Sequence, residues 1–176
     1  MSSRACIERG RLGMRPDFLV SHVDVLSPEW LAAEASSALL LDIDNTLLSR
    51  EETHVGDRVR AWVDEMRSAG VVLVLVSNST KARAPRVAAE LDLPLVDGAY
   101  KPLTGGIRRA LDLLGRNAGE CLLVGDQSYT DVLGAHRAGM RAVMVEPLCG
   151  TDPWHTRQLR RIDRWATAGM TAAAHR

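Results

Sequence analysis

Short apolar runs that each end in polar residues constrain the fold of this chain more than any other feature. The run at 71–76 contains only valine and leucine, which is typical of a parallel strand buried on both faces. Similar runs recur along the chain. The predicted strands are 38–41, 71–76, 95–96, 121–124 and 142–145.

Segments with helical spacing separate these runs. The predicted helices are a short one that Ser27 caps, then 57–69, 80–91, 103–114 and 129–138, and an amphipathic one at 154–170. Strands that alternate with helices predict an α/β fold, namely a Rossmann-like, doubly wound parallel sheet with helices on both faces. In such a sheet the functional site lies beyond the carboxyl ends of the strands.

Length and composition are those of a single soluble domain. The 176 residues predict one domain over 14–176, with the arginine-rich segment 1–13 as a disordered tail and Met14 as an alternative start. The 22 basic and 22 acidic residues balance, so no overall field attracts nucleic acid. Three scattered cysteines and the absence of a long apolar segment predict a cytoplasmic location.

Polar and charged side chains that could bind ligands or take part in catalysis follow three of the predicted strands. They are Asp42, Asp44 and Thr46 after 38–41, Ser77 and Asn78 after 71–76, Asp126 and Asp131 after 121–124, and Lys101 before the helix at 103–114. Strand termination and helix capping explain each cluster alone. They do not explain why several carboxylates meet at one sheet edge, where they would repel each other unless a cation bound them. Carboxylate ligands of this kind suit Mg²⁺.

Four of these segments, in this order, resemble the four motifs of haloacid dehalogenase superfamily phosphatases. They are Asp42-Ile43-Asp44-Asn45-Thr46, Ser77-Asn78, Lys101-Pro102, and Gly125-Asp126 with Asp131. The patterns at 44–47, 101–102 and 125–135 more closely resemble the bacterial YqeG family of subclass IIIA. This resemblance covers residues 14–165. Ser79 departs from it, because YqeG-like sequences often carry a second asparagine at this position.

The resemblance implies a Mg²⁺-dependent phosphomonoester hydrolase that works through an aspartyl-phosphate. Asp42 is then the nucleophile, Asp44 the general acid and base, and Lys101 the group that neutralises developing charge. The implied substrate-side residues are Ser77, Asn78 and Thr46, the last of which orders the turn. The implied metal ligands are the Asp42 carboxylate, the Asp44 backbone carbonyl, the Asp126 carboxylate and, in a second shell or as an alternative ligand, Asp131.

The spacing of the motifs leaves no room for a cap domain. Only 32 residues lie between Asp44 and Ser77, and 23 lie between Ser77 and Lys101. An open site suits a large substrate, a substrate at a membrane surface, or coverage by another subunit. Eukaryotic relatives of the YqeG family dephosphorylate phosphatidylglycerophosphate, which makes a lipid phosphate the first substrate hypothesis. A small soluble phosphomonoester, such as a sugar phosphate or a nucleotide, is the alternative.

The predicted helix at 154–170 is both basic and amphipathic, and it has two interpretations. It could lie on an anionic membrane surface as a peripheral contact. Alternatively Leu159, Ile162 and Trp165 pack on the domain and the arginines face solvent. The second interpretation is favoured, because interfacial helices usually have a larger apolar face. The sequence leaves the oligomeric state open.

Two other functional classes of protein are alternatives to an enzyme. A receiver-like phosphate acceptor has an adjacent acidic pair and an acceptor on a later strand, whereas one residue separates Asp42 from Asp44 here. A regulator on a phosphatase fold typically loses the nucleophile or the general acid. Because both aspartates are present, the sequence favours the enzyme.

Overall fold

The protein, seen in a computed structural model, is described over residues 13–79, 82–148 and 154–174, without the side chains of 154–158. Of the predicted tail 1–13, only Gly13 lies within the described residues. Its carbonyl oxygen accepts a hydrogen bond from His136 Nδ1 at 2.7 Å. Within these residues, no helix combines the length and the apolar character that crossing a bilayer requires.

Six strands form one parallel sheet at the centre of the molecule. They are β1 (Phe18–Val20), β2 (Ala38–Leu41), β3 (Val72–Val76), β4 (Leu95–Val96), β5 (Cys121–Gly125) and β6 (Arg141–Val145). Their order across the sheet is β1-β6-β5-β2-β3-β4. All neighbouring strands are parallel, and β2 pairs with β3 on one side and with β5 on the other. The ends of β2, β3 and β5 are therefore adjacent.

Helices cover both faces of this sheet. They are α1 (Pro28–Ala33), α2 (Asp57–Ser68), α3 (Arg83–Leu91), α4 (Thr104–Leu114), α5 (Leu133–Arg137) and α6 (Trp154–Thr167). The alternation of side chains along β2 supplies both cores. Leu39 and Leu41 pack with α1, α2 and α3, whereas Ala38 and Leu40 pack with α4 and α5. The predicted fold class, a doubly wound parallel sheet, is confirmed.

The structure departs from the predicted elements in several places, among them the helix predicted at 154–170, which ends at Thr167. β1 was not predicted, because Phe18–Val20 is a three-residue edge strand that becomes recognisable only through its pairing with β6. The helix predicted at 129–138 begins as a π-turn at Ser128–Val132 before α5. The helix predicted at 80–91 starts at Arg83, and positions 80 and 81 lie outside the described residues. Pro85 fits its first turn, where backbone N–H groups have no partner within the helix.

The chain between the predicted motifs is compact. From Asp44 to Ser77 the structure contains one helix, α2, and one strand, β3. From Ser77 to Lys101 it describes only α3 and β4. Over the described residues there is accordingly no inserted cap domain.

Candidate active site

The turn after β2 places Asp42 at the carboxyl edge of the sheet. The Asp42 backbone N–H still donates to the Val124 carbonyl at 2.9 Å, so this residue extends the line of the central strand. Asn45 then adopts a φ of 62°, a left-handed conformation that asparagine tolerates better than most residues. The fully buried Thr46 turns back towards the strand, with its hydroxyl 3.5 Å from Asp42 Oδ2. Thr46 thus contacts the predicted nucleophile and orders its turn.

Lys101 lies at the centre of the polar cluster. Its ammonium nitrogen is 2.6 Å from Asp42 Oδ1 and 2.7 Å from Asp131 Oδ1, and it also donates to the Val76 carbonyl at 2.9 Å. Burial by itself lowers the pKa of Lys101, but Asp131 and Asp42 together raise it above its ordinary value. The buried Lys101 side chain is therefore a permanent cation at neutral pH.

Three carboxylates from two strand ends meet beside Lys101. Asp42, Asp126 and Asp131 each offer an oxygen, and these oxygens lie within 4.8 Å of one another. Burial raises the pKa of Asp42 to about 7, an effect that Lys101 opposes and the other two aspartates reinforce. Burial and the nearby Asp131 likewise raise the pKa of Asp126 to about 6, against the opposing charge of Arg160.

The carboxylate trio, formed by Asp42, Asp126 and Asp131, offers ligand atoms that fit a divalent cation. Asp126 Oδ1 is buried and has no hydrogen-bond partner among the described residues. A buried carboxylate oxygen without a partner is costly unless a cation occupies the space beside it. Several carboxylate oxygens converging at one place are the ligands that Mg²⁺ prefers. The Asp44 side chain does not belong to the trio. That the Asp44 backbone carbonyl binds the cation stays a prediction.

Gly125 makes room for this arrangement. A Cβ atom built on Gly125 would lie 2.3 Å from Asp131 Cγ, far inside contact distance. The second oxygen of Asp131 accepts from the Gln127 backbone N–H at 3.1 Å and from the Thr130 hydroxyl at 3.2 Å. The loop after β5 therefore holds the Asp131 side chain firmly against the end of its own strand.

Asn78 holds the segment that carries Lys101. Its amide nitrogen donates to the Lys101 carbonyl at 2.9 Å, and its amide oxygen accepts from the Lys101 backbone N–H at 2.6 Å. Both ends of the Asn78 side chain are thus engaged with protein. Ser77 is buried, and its hydroxyl oxygen accepts from the Ser79 N–H at 3.1 Å. Substrate contacts by Ser77 and Asn78 remain predictions, although both residues line the same cleft.

Two arginines that the sequence analysis did not select lie beside Asp44. Arg83 Nε is 2.9 Å from Asp44 Oδ1, and the other nitrogens of Arg83 donate to carbonyl oxygens of the loop at 49–52. Arg50 lines the cleft together with Asp42 and Asp44. Its buried Nε finds no hydrogen-bond partner within the described residues. No sequence motif distinguishes these two arginines from the many others in the chain.

A third arginine reaches the site from the C-terminal helix. Arg160 of α6 donates to Asp126 Oδ2 at 2.6 Å and to the Asp126 carbonyl at 2.8 Å. The buried face of α6 runs through Asp163 and Ala166, while Trp165 is 47% exposed. The expectation that the arginines of this helix face solvent is therefore wrong for Arg160, whereas the expected packing of Leu159, Ile162 and Trp165 on the domain stays a prediction.

The cleft itself is small and open. Its volume is about 80 Å³, and its lining includes Gln127 and Thr130 as well as the predicted site residues Asp42, Ser77 and Lys101. A space of this size accommodates little more than a phosphoryl group. The remainder of any substrate must extend outwards from the carboxyl edge of the sheet.

Comparison with known proteins agrees with this geometry. A family model described as HAD-hydrolase-like matches residues 99–150. The probable phosphatase YqeG of Bacillus subtilis is 29% identical over 160 residues, covering 91% of this chain and 93% of that protein. The chloroplastic/mitochondrial phosphatidylglycerophosphate phosphatase 1 of Arabidopsis thaliana is 23% identical, and the alignment covers 99% of this chain but only 55% of the plant protein.

The fold recurs in solved structures. The cobalt-bound deoxy-D-mannose-octulosonate 8-phosphate phosphatase of Haemophilus influenzae has a TM-score of 0.55 at 14% identity, covering 76% of this chain and 88% of that one. At this identity the likeness concerns the fold alone. In its sequence relatives, in the order of its motifs and in its fold, the chain is thus similar to phosphatases of the haloacid dehalogenase superfamily, YqeG among them.

Proposed function

We propose that this protein is a Mg²⁺-dependent phosphomonoester hydrolase with Asp42 as its nucleophile. The observation that carries the proposal is the position of Asp42 within the carboxylate trio and 2.6 Å from the Lys101 ammonium group. Asp42 would share the bound cation with Asp126, the Asp44 carbonyl and, as ligand or neighbour, Asp131. A bound Mg²⁺ supplies positive charge to the phosphoryl oxygens and helps to keep the Asp42 carboxylate ionised.

The protein residues divide the reaction into two steps. In the first, an Asp42 carboxylate oxygen forms a bond to phosphorus while the bond from phosphorus to the alcohol oxygen breaks, and Asp44 donates a proton to the departing alcohol. In the second, Asp44 takes a proton from water, whose oxygen bonds to phosphorus as the aspartyl-phosphate bond breaks. Inorganic phosphate and free Asp42 result. Lys101 stays protonated throughout and balances the charge on the phosphoryl group.

For the substrate we propose a lipid phosphate of the phosphatidylglycerophosphate kind. Two sequence relatives carry that activity in their names, although this chain spans only 55% and 63% of their lengths. The small open cleft favours a substrate whose bulk stays outside. A second cavity of about 610 Å³ combines apolar residues with three arginines and two carboxylates. Its lining includes Leu19, Met144, Val145, Arg160, Arg161, Arg164, Glu146 and Asp163. Such a lining suits an anionic amphiphile, and peripheral contact with a membrane surface belongs to the same proposal.

Phosphate release in the presence and absence of Mg²⁺ tests both parts of the proposal. The substrates are p-nitrophenyl phosphate, glycerol 3-phosphate and phosphatidylglycerophosphate in detergent micelles, and Asp42→Asn is the control. We expect Mg²⁺-dependent release that disappears in the variant and is fastest with the lipid. If the soluble esters are hydrolysed as fast as the lipid, the lipid assignment fails and the small-molecule alternative takes its place. If wild type releases no phosphate from any of them, the hydrolase proposal fails in favour of a regulatory role.

A further inference from the structure

Arg160 connects the C-terminal helix to the carboxylate trio. One guanidinium nitrogen is 2.6 Å from Asp126 Oδ2, and another donates to the Asp126 backbone carbonyl at 2.8 Å. Two contacts to a single residue fix both its side chain and its backbone. Because Asp126 is 1% exposed and the Arg160 side chain 16% exposed, solvent screens this ion pair little.

A second residue of the same helix holds the same loop. Asp163 Oδ1 accepts from the Ser128 backbone N–H at 2.7 Å, and Asp163 Oδ2 lies 3.3 Å from Arg160. Asp163 thus orients Arg160 while it anchors the chain two residues beyond Asp126. The pair joins α6 to the loop after β5, which carries two of the three carboxylates of the trio.

The contacts of Asp126 are divided between its two oxygens. Arg160 occupies Oδ2, whereas Oδ1 is buried and has no hydrogen-bond partner in the part of the chain that the structure describes. This is the pattern expected of a metal-ligating carboxylate whose second oxygen is held by an outer partner. The positive charge of Arg160 also offsets part of the repulsion among the three carboxylates, which Lys101 alone cannot balance.

We infer that Arg160 is a positioning residue for the cation site, and that α6 is required for full cation affinity. The inference rests on the proposed function, because it takes Asp126 to be a cation ligand. Arg160 touches no reacting atom in this account. It acts by fixing the orientation of Asp126, so its removal should weaken cation binding before any substrate is present.

Mn²⁺ binding, measured by the electron paramagnetic resonance signal of the free ion, tests this inference without relying on turnover. The proteins are wild type, Arg160→Gln, Arg160→Lys and Arg108→Gln, the last at an exposed position of α4 that lines neither of the two cavities. We expect Arg160→Gln to raise the dissociation constant about 10- to 100-fold, which is the usual effect of losing an outer partner of a metal ligand. Arg160→Lys should restore part of the affinity, and Arg108→Gln should bind as wild type does.

One result of the Mn²⁺ measurement would contradict the inference. Unchanged or tighter Mn²⁺ binding by Arg160→Gln would show that Arg160 is only a structural contact or a competitor of the cation. Circular dichroism of each variant identifies loss of folding, in which case Arg160→Lys carries the comparison. Mn²⁺-dependent hydrolysis by wild type, measured in parallel, separates the two proposals. If wild type binds Mn²⁺ and hydrolyses while Arg160→Gln binds equally well, only the inference fails; if wild type does neither, the proposed function fails with it.

Discussion

The ammonium nitrogen of Lys101 lies 2.6 Å from the Asp42 carboxylate, and both groups are largely withdrawn from solvent. This pair places a fixed positive charge beside the predicted nucleophile. Asn78 holds the backbone of Lys101 through two hydrogen bonds, so the position of the ammonium group does not depend on a bound substrate. The site is therefore organised for charge stabilisation before substrate arrives.

Replacement of Lys101 by methionine should abolish most of the activity. Methionine keeps the length of the side chain but removes the charge that offsets the phosphoryl group. We expect kcat to fall about 100- to 1,000-fold, as it does when a preorganised charge-stabilising group is removed. Steady-state kinetics with p-nitrophenyl phosphate at saturating Mg²⁺ measures the effect. A folded Lys101→Met protein with wild-type kcat would contradict the assigned role.

Replacement of Gly125 by alanine should disturb the carboxylate trio from within. The added Cβ would lie 2.3 Å from Asp131 Cγ, so either Asp131 or the end of β5 must move. We expect a loss of about 1–3 kcal/mol in the free energy of unfolding, typical of overpacking, together with weaker Mn²⁺ binding. Urea unfolding and metal titration measure the two effects. Gly119→Ala is the matched control, because no atom lies within 4 Å of its Cβ position; equal behaviour of the two variants would refute the prediction.

Replacement of Arg50 by alanine should weaken substrate binding. Arg50 lines the cleft, and its buried Nε has no hydrogen-bond partner within the described residues. Because Arg50 lines the same cleft as Asp42 and Asp44, its guanidinium charge can hold an anionic part of the substrate there. A hydrogen bond to a charged group is worth about 1.5–3 kcal/mol, so KM should rise roughly 10- to 100-fold. Arg108→Ala, at an exposed position of α4, serves as the control, and a KM unchanged by Arg50→Ala would exclude a binding role.

The pair formed by Asp17 and His136 should make stability depend on pH in the acidic range. Burial alone raises the pKa of Asp17, but the hydrogen bonds from His136 and the Ala142 N–H, with the charge of Arg141, hold it below its ordinary value of 3.8. A lowered folded-state pKa means that the stabilisation is present above 3.8 and is lost as pH falls through the lower folded-state value.

Urea unfolding of wild type and Asp17→Asn at neutral pH and at decreasing pH below 4 measures this dependence. We expect a difference of about 2 kcal/mol at neutral pH, in the range for hydrogen bonds to a charged group, and a smaller difference in acid. Asp92→Asn, whose side chain is 89% exposed, should follow the wild-type profile. A difference between wild type and Asp17→Asn that does not change with pH would contradict the prediction.

Much of the fold could be predicted because the interior strands carry their own signal. The runs at 71–76 and 121–124 are apolar on both faces, and the structure places β3 and β5 there on either side of β2. β1 could not be predicted in the same way. Its three residues form an edge strand, and nothing in so short a segment encodes the pairing of Phe18 with Val143.

The sequence by itself determined which groups stand at the strand ends, because a residue that follows a buried parallel strand must emerge at the same edge as its neighbours. Asp42 and Asp126 were predictable for that reason, and Lys101 through its place in the ordered motifs. Only the tertiary structure decided which arginines join them. Arg160 and Arg161 are adjacent arginines, and no local pattern tells them apart. Arg160 nevertheless contacts Asp126, 34 residues earlier in the chain, whereas Arg161 is exposed. That choice depends on how α6 docks on the sheet, and docking is set by packing across the whole domain rather than by any local pattern.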